Sequence, residues 1–147
     1  MRTNASTSDR GGWLLLLSAW MIAVVSTLGA LFIGEVMGQA PCSLCWYQRA
    51  FMFPLAIMLM LASFVVDGHG VWRYALPVAA VGWAIALYHN LLYFDLIEQA
   101  IVPCGQGPSC SGSEMTLFET VPIPSLSLFA FTAIVLLMLP LRKRPTQ

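Results

Sequence analysis

Four stretches of this sequence contain no Asp, Glu, Lys or Arg: residues 13–34, 50–66, 74–94 and 120–141. A hydrocarbon core about 30 Å thick takes roughly 20 helical residues, so each stretch can cross it, the second by including 46–49. Little remains for a soluble domain. Of 147 residues, 59% are hydrophobic and 10% charged, where an ordinary soluble domain has about 25% charged. The expected fold is all-α: an integral membrane four-helix bundle. It forms one domain over 1–147, with spans near 13–34, 46–66, 74–94 and 120–141. The first run is longer than the roughly 7–15 apolar residues of a signal peptide, and Pro41 makes a poor cleavage context after Ala40, so it is expected to stay as a span.

Net charge is zero, but the charges are unevenly placed. Arg2, Arg10, Arg73, Arg142, Lys143 and Arg144 lie in the segments before the first span, between the second and third, and after the fourth. Four crossings put those segments on one side, and the positive-inside rule makes that side cytoplasmic. Both termini are then cytoplasmic, in the inner membrane, and Arg49 is the lone cation on the other side. Trp13, Trp72 and Tyr74 at one set of span ends, and Trp46, Tyr47 and Tyr93 at the other, suit the membrane–water interface. Pro54 should kink the second span unless neighbours relieve it, and Pro77 can be absorbed in the first turn of the third. No nucleic-acid partner is expected; membrane lipid is.

All four cysteines fall in the two extracytoplasmic loops: Cys42 and Cys45 in the first, Cys104 and Cys110 in the second, within "PCGQGPSCSGS". Disulfides persist on that side. A purely structural bridge between Cys42 and Cys45 would close a loop too short to remove much chain entropy. Zinc held by four thiolates is the other possibility, but Cys-x5-Cys is an unusual half-site. Redox-active pairs are the favoured reading, because Cys-x-x-Cys suits a disulfide that must open and close. If the second helix begins near Cys45, its amide dipoles favour a thiolate there, and Arg49 four residues on shares its face. Cys45 is therefore the expected stable thiolate. Arg49 could otherwise be a snorkelling interfacial cation.

A redox pair at the bilayer surface needs an electron acceptor. The sequence has no haem or iron–sulfur ligand set, no dinucleotide fingerprint and no P-loop. A lipid-soluble quinone needs only an apolar slot with a few polar groups, for which Arg49 and the intramembrane His89 are candidates. His89 lies about five residues, or roughly 8 Å, from the outer end of its span. It could instead bond a neighbouring helix.

The segments "PCSLCWYQRAFMFPL", "VPCGQGPSC" and "VPIPSLSLFAF" resemble the DsbB family of disulfide bond formation proteins, and most of all its shorter, BdbC-type members. The resemblance spans nearly the whole chain. It implies a membrane thiol:quinone oxidoreductase that reoxidises an extracytoplasmic DsbA-like thiol oxidase and passes electrons to ubiquinone or menaquinone. By that resemblance Cys104 is attacked by the partner's thiolate and Cys110 is released. Cys42 then exchanges with Cys110, Cys45 faces quinone, and Arg49 holds it. His89 matches a quinone-side histidine. The five-residue gap between Cys104 and Cys110 is far tighter than in the longer family members.

Two rival readings remain. A vitamin K epoxide reductase-type protein would carry its redox motif on the last helix. A small transporter, or a structural membrane protein with incidental disulfides, would usually carry a carboxylate deep in a span, and these spans have none.

Overall fold

In the computed structural model the described residues are 3–64, 70–97, 116–117 and 121–142, with side chains described for 10–64, 70–97 and 122–142. Cys104 and Cys110 lie outside them, as do most of the second loop and the last five residues. Four long helices account for nearly all of what is described: α1 (Thr3–Leu31), α2 (Ser43–Phe64), α3 (Trp72–Tyr93) and α4 (Ile123–Arg142). Each supplies a stretch long and apolar enough to cross a membrane, α1 together with the helical turn that follows it: Arg10–Val36, Ser43–Phe64, Trp72–Tyr93 and Ile123–Arg142. A short antiparallel pair, β1 (Thr116–Leu117) with β2 (Val121–Pro122), leads into α4 inside what was expected to be plain loop.

Neighbours in sequence are neighbours in space. α1 packs on α2 and α4, and α3 packs on α2 and α4, so the helices form a ring in chain order. Within lipid the hydrophobic effect gives no reason for apolar helices to associate; close packing does. The contact seams are accordingly small: Ala19, Ala23, Ala75, Ala79 and Ala86 are fully buried. Leu55, Leu59, Phe131, Ile134 and Met138 fill the space between them. Gly82 is the tightest point among the described glycines, because a Cβ there would collide with the Phe131 ring. By contrast Val25, Leu28, Phe129 and Leu136 point outward and are each at least 60% exposed. An apolar exterior around a small-residue interior suits a protein with lipid as its solvent.

Polar bonds between helices are few and local. At the end holding Trp13, its indole N–H donates to the Ser63 carbonyl at 3.1 Å, and Trp20 meets Phe64 edge-on with centroids 5.0 Å apart. Midway, Trp83 Nε1 donates to Thr132 Oγ1 at 2.9 Å, joining α3 to α4. α2 runs through Pro54 without interruption. α3 begins at Trp72, which makes Pro77 its sixth residue. The first-turn placement expected for Pro77 is therefore corrected: the helix starts two residues before Tyr74, and the proline sits beyond the turn where an amide is dispensable.

Candidate redox site at the cysteine end

α1 does not simply stop. Its last turn widens into a π-helical turn, Phe32–Val36, closed by the Met37 N–H on the Phe32 carbonyl at 3.1 Å. Gly38 follows with φ of +68°, a left-handed conformation that glycine adopts without strain, and the chain turns back toward Pro41. Such π-turns recur at functional sites because they displace the carbonyl array. Here Arg49 Nη2, reaching over from α2, donates to the Ala30 carbonyl at 2.6 Å. Gly34 makes the approach possible, since a Cβ there would lie 3.0 Å from Arg49 Nη2. The guanidinium also lies 5.5 Å from the centroid of Trp46. Arg49 is thus fixed between α1 and an aromatic ring, and is not a loosely snorkelling cation.

Cys42 precedes α2 and caps it. Its carbonyl accepts the Trp46 N–H at 3.1 Å, and its sulfur accepts the Cys45 N–H at 3.3 Å. That is the bonding pattern of an N-cap residue. The two sulfurs lie 3.0 Å apart as free thiols. From α3, His89 Nε2 comes within 3.8 Å of Cys42 Sγ, and Gln48 Nε2 donates to His89 Nδ1 at 3.0 Å. With Nδ1 accepting, a neutral ring carries its proton on Nε2, facing the sulfur. Cys42 and His89 are both essentially inaccessible to solvent.

These neighbours hold the Cys42 thiol well below its ordinary range. The largest contribution is the hydrogen bond from the Cys45 thiol; burial opposes it, and the His89 ring and the Cys45 amide add to it. This reverses the sequence expectation that Cys45 is the stable thiolate. The helix begins at Ser43 rather than near Cys45, so the freed amide at its N-terminus points at Cys42. A shift of two residues in a helix start moves the favoured anion from one cysteine to the other.

Cys45 faces the other way. It lines a cavity of about 700 Å³ between α1, α2 and α4, together with Arg49, Gln48, Gln39, Ala30, Ile33 and Met52 from the first half of the chain. Ile123, Leu126, Ser127 and Phe131 close it from α4. The walls are mostly apolar. Of the residues that line it, Gln39 has a buried side-chain oxygen, Oε1, with no hydrogen-bond partner. His89 is not among the lining residues. It stands behind the cysteine pair, bonded to Gln48 of α2. The side of α3 that carries it turns toward the start of α2.

Comparison with known proteins matches the chain over residues 10–141 to the family of disulfide bond formation protein DsbB. The chain belongs to the DsbB family. It is 58% identical to a probable disulfide formation protein of Metapseudomonas resinovorans over 91% of this chain and 93% of that one. It is 40% identical to a probable disulfide formation protein of Deinococcus radiodurans, covering 87% and 88% respectively. It is 38% identical to disulfide bond formation protein C of Bacillus subtilis, covering 85% and 90%. No solved structure matches the chain.

Membership in the DsbB family carries a role in disulfide bond formation, an oxidoreductase chemistry of thiols. Of the six site residues named from the sequence, this DsbB-family chain brings four together: Cys42, Cys45, Arg49 and His89. The second pair lies outside the described residues. Three further polar residues escaped the sequence reading. Gln48 orients His89. Gln39, a residue of the cavity wall, keeps a buried amide oxygen without a partner. Asn90 Nδ2 donates to the Pro124 carbonyl at 2.7 Å and to Ala86 at 2.9 Å, while Ser125 Oγ donates to Asn90 Oδ1 at 2.8 Å, pinning the start of α4 beside His89. Asn90 and Gln48 could have been flagged as uncharged polar groups inside apolar spans, which commonly bond across helices.

Proposed function

We propose that this protein is a thiol:quinone oxidoreductase that reoxidises an extracytoplasmic thioredoxin-fold dithiol oxidase and so sustains disulfide formation in exported proteins. One observation carries the reading: Cys45 and Arg49 share a wall of an apolar cavity at the cysteine end of the bundle. The donor set fits a quinone. Its ring and tail suit apolar walls, and its carbonyl oxygens suit a guanidinium. A quinone held there takes up two electrons and two protons for each disulfide made.

The chain's own groups divide the remaining work. Cys104 exchanges with the partner dithiol, forming a mixed disulfide that a second partner thiol resolves, and Cys104 and Cys110 leave as thiols. Their two electrons pass by thiol–disulfide exchange to the Cys42–Cys45 disulfide, which opens to the dithiol described above. Cys42 is the sulfur that exchanges with Cys110, Cys45 is released on the side of the cavity, and His89 and the Cys45 amide favour the Cys42 thiolate once the pair is open. Cys45 faces the acceptor's cavity. Arg49, anchored on Ala30, supplies positive charge where negative charge develops.

The test is purified protein in detergent, given a reduced thioredoxin-fold oxidase and soluble ubiquinone or menaquinone analogues, with quinone absorbance followed over time. Wild type should turn over with one of the two analogues, and Cys45→Ser and Cys104→Ser should each lose turnover. Wild-type protein that reduces neither analogue overturns the proposal.

A further inference from the structure

The cysteine pair is also part of a metal-ligand constellation. Cys42 Sγ, Cys45 Sγ and the near ring nitrogen of His89 all lie within 4.8 Å of one another, from two different helices and a helix cap. We propose that the reduced site binds one Zn²⁺ ion through Cys42, Cys45 and His89, and that disulfide formation abolishes the site.

Geometry and charge both support this. With metal–sulfur bonds of about 2.3 Å and metal–nitrogen bonds of about 2.0 Å, a tetrahedral site places its sulfurs roughly 3.8 Å apart and sulfur to nitrogen roughly 3.5 Å. The Cys42–His89 separation of 3.8 Å is already in that range, and the sulfur pair at 3.0 Å must open by roughly 0.8 Å. Binding converts two thiols to thiolates and releases two protons. The two anions then cancel the ion's charge, so that the filled site is neutral, as a buried site must be to avoid a large desolvation penalty. Soft thiolates with imidazole favour zinc over magnesium or calcium.

The second shell is in place as well. A metal-bound imidazole uses one nitrogen for the ion and normally donates the other N–H to a fixed acceptor. Gln48 already holds His89 Nδ1 at 3.0 Å. A half-turn of its carboxamide exchanges Nε2 for Oε1, which lets Nδ1 keep the proton and frees Nε2 for the metal. A fourth position is left for water or another thiol. Once Cys42 and Cys45 are joined, neither sulfur is a thiolate and two of the three ligands are gone. Metal occupancy therefore reports, and holds, the reduced state.

The experiment uses full-length protein in detergent carrying Cys104→Ser and Cys110→Ser, so that only the first pair can bind. Reduced protein titrated with Co²⁺ should develop sulfur-to-cobalt charge-transfer and tetrahedral ligand-field bands that saturate at one ion per chain. Zn²⁺ should displace it, and the oxidised protein should show neither. His89→Gln, which keeps a polar side chain in the buried position but removes a ligand, should weaken Zn²⁺ binding at least tenfold, since loss of even an outer-shell partner costs about 10–100-fold. Absence of the bands in the reduced protein with native His89, equal Zn²⁺ affinity with His89→Gln, or equal binding by the oxidised form would each overturn the proposal. The readout contains no quinone and no partner oxidase, so it stands or falls apart from the proposed relay.

Discussion

The two ends of this bundle are built on different principles. At the end holding Trp13 and Ser63, and through the middle, helices meet through alanines and a few large apolar residues, with isolated polar bonds. At the cysteine end, side chains from α2 and α3 are bonded in series: Cys45 to Cys42, Cys42 to His89, His89 to Gln48. Arg49 and Asn90 tie the same region to α1 and α4. The apolar part needs only volume to be right. The polar part needs each atom's partner to be right, since a buried group that loses its partner keeps its full desolvation penalty. Stability and chemistry are thus carried by different halves of one small protein.

That division can be tested by asking each half to fail in its own way. The largest effect is expected from Arg49→Gln, which leaves the apolar seams untouched. Quinone reduction by pre-reduced protein should slow by at least tenfold, on the order seen when a positioned charge is removed from a site of developing charge. Thiol exchange with the partner oxidase should change much less. Stopped-flow measurement of the two half-reactions decides it, and equal losses in both would remove Arg49 from the quinone side.

Gly82→Ala probes the other half. The added methyl meets the Phe131 ring, so the protein should lose about 1–3 kcal/mol, the usual cost of overpacking a tight core. Thermal unfolding in detergent measures that loss, while the rate per folded molecule should stay near wild type. A large fall in turnover with unchanged stability would show that the halves are not separate.

The smallest effect concerns pH. Because the Cys42 thiol titrates below its ordinary range, its thiolate should persist as pH falls through the roughly 8.5 of a free cysteine, and be lost only well under it. Ultraviolet thiolate absorbance of reduced protein carrying Cys104→Ser and Cys110→Ser should show this. Replacing His89 by alanine removes one of the groups that lower the value, so the titration should move upward, toward the ordinary thiol. An unmoved curve would mean that the Cys45 thiol and amide suffice alone.

Much of the architecture was legible in the chain. Runs of uncharged residues matching bilayer thickness leave no other way to satisfy the backbone than four helices, and the observed spans begin and end within a few residues of those runs. The Cys-x-x-Cys at the mouth of the second span, with Arg49 one turn inside, placed the reactive end and the cavity-lining cation. Both are local facts, set by composition and by the helical repeat. What the chain alone did not decide were contacts between residues distant in sequence. His89 lies 47 positions from Cys42 and 41 from Gln48. Which of them it meets depends on how far α3 is rotated against α2, which is fixed by small residues packing along their whole length. The same holds for the thiolate. A start at Ser43 instead of near Cys45 reassigns the helix-end amide to Cys42, and only the folded turn between Gly38 and Cys42 sets that start. Sequence determined that there would be a dithiol at a membrane surface; tertiary packing decided which sulfur its neighbours favour as the thiolate, and what stands behind it.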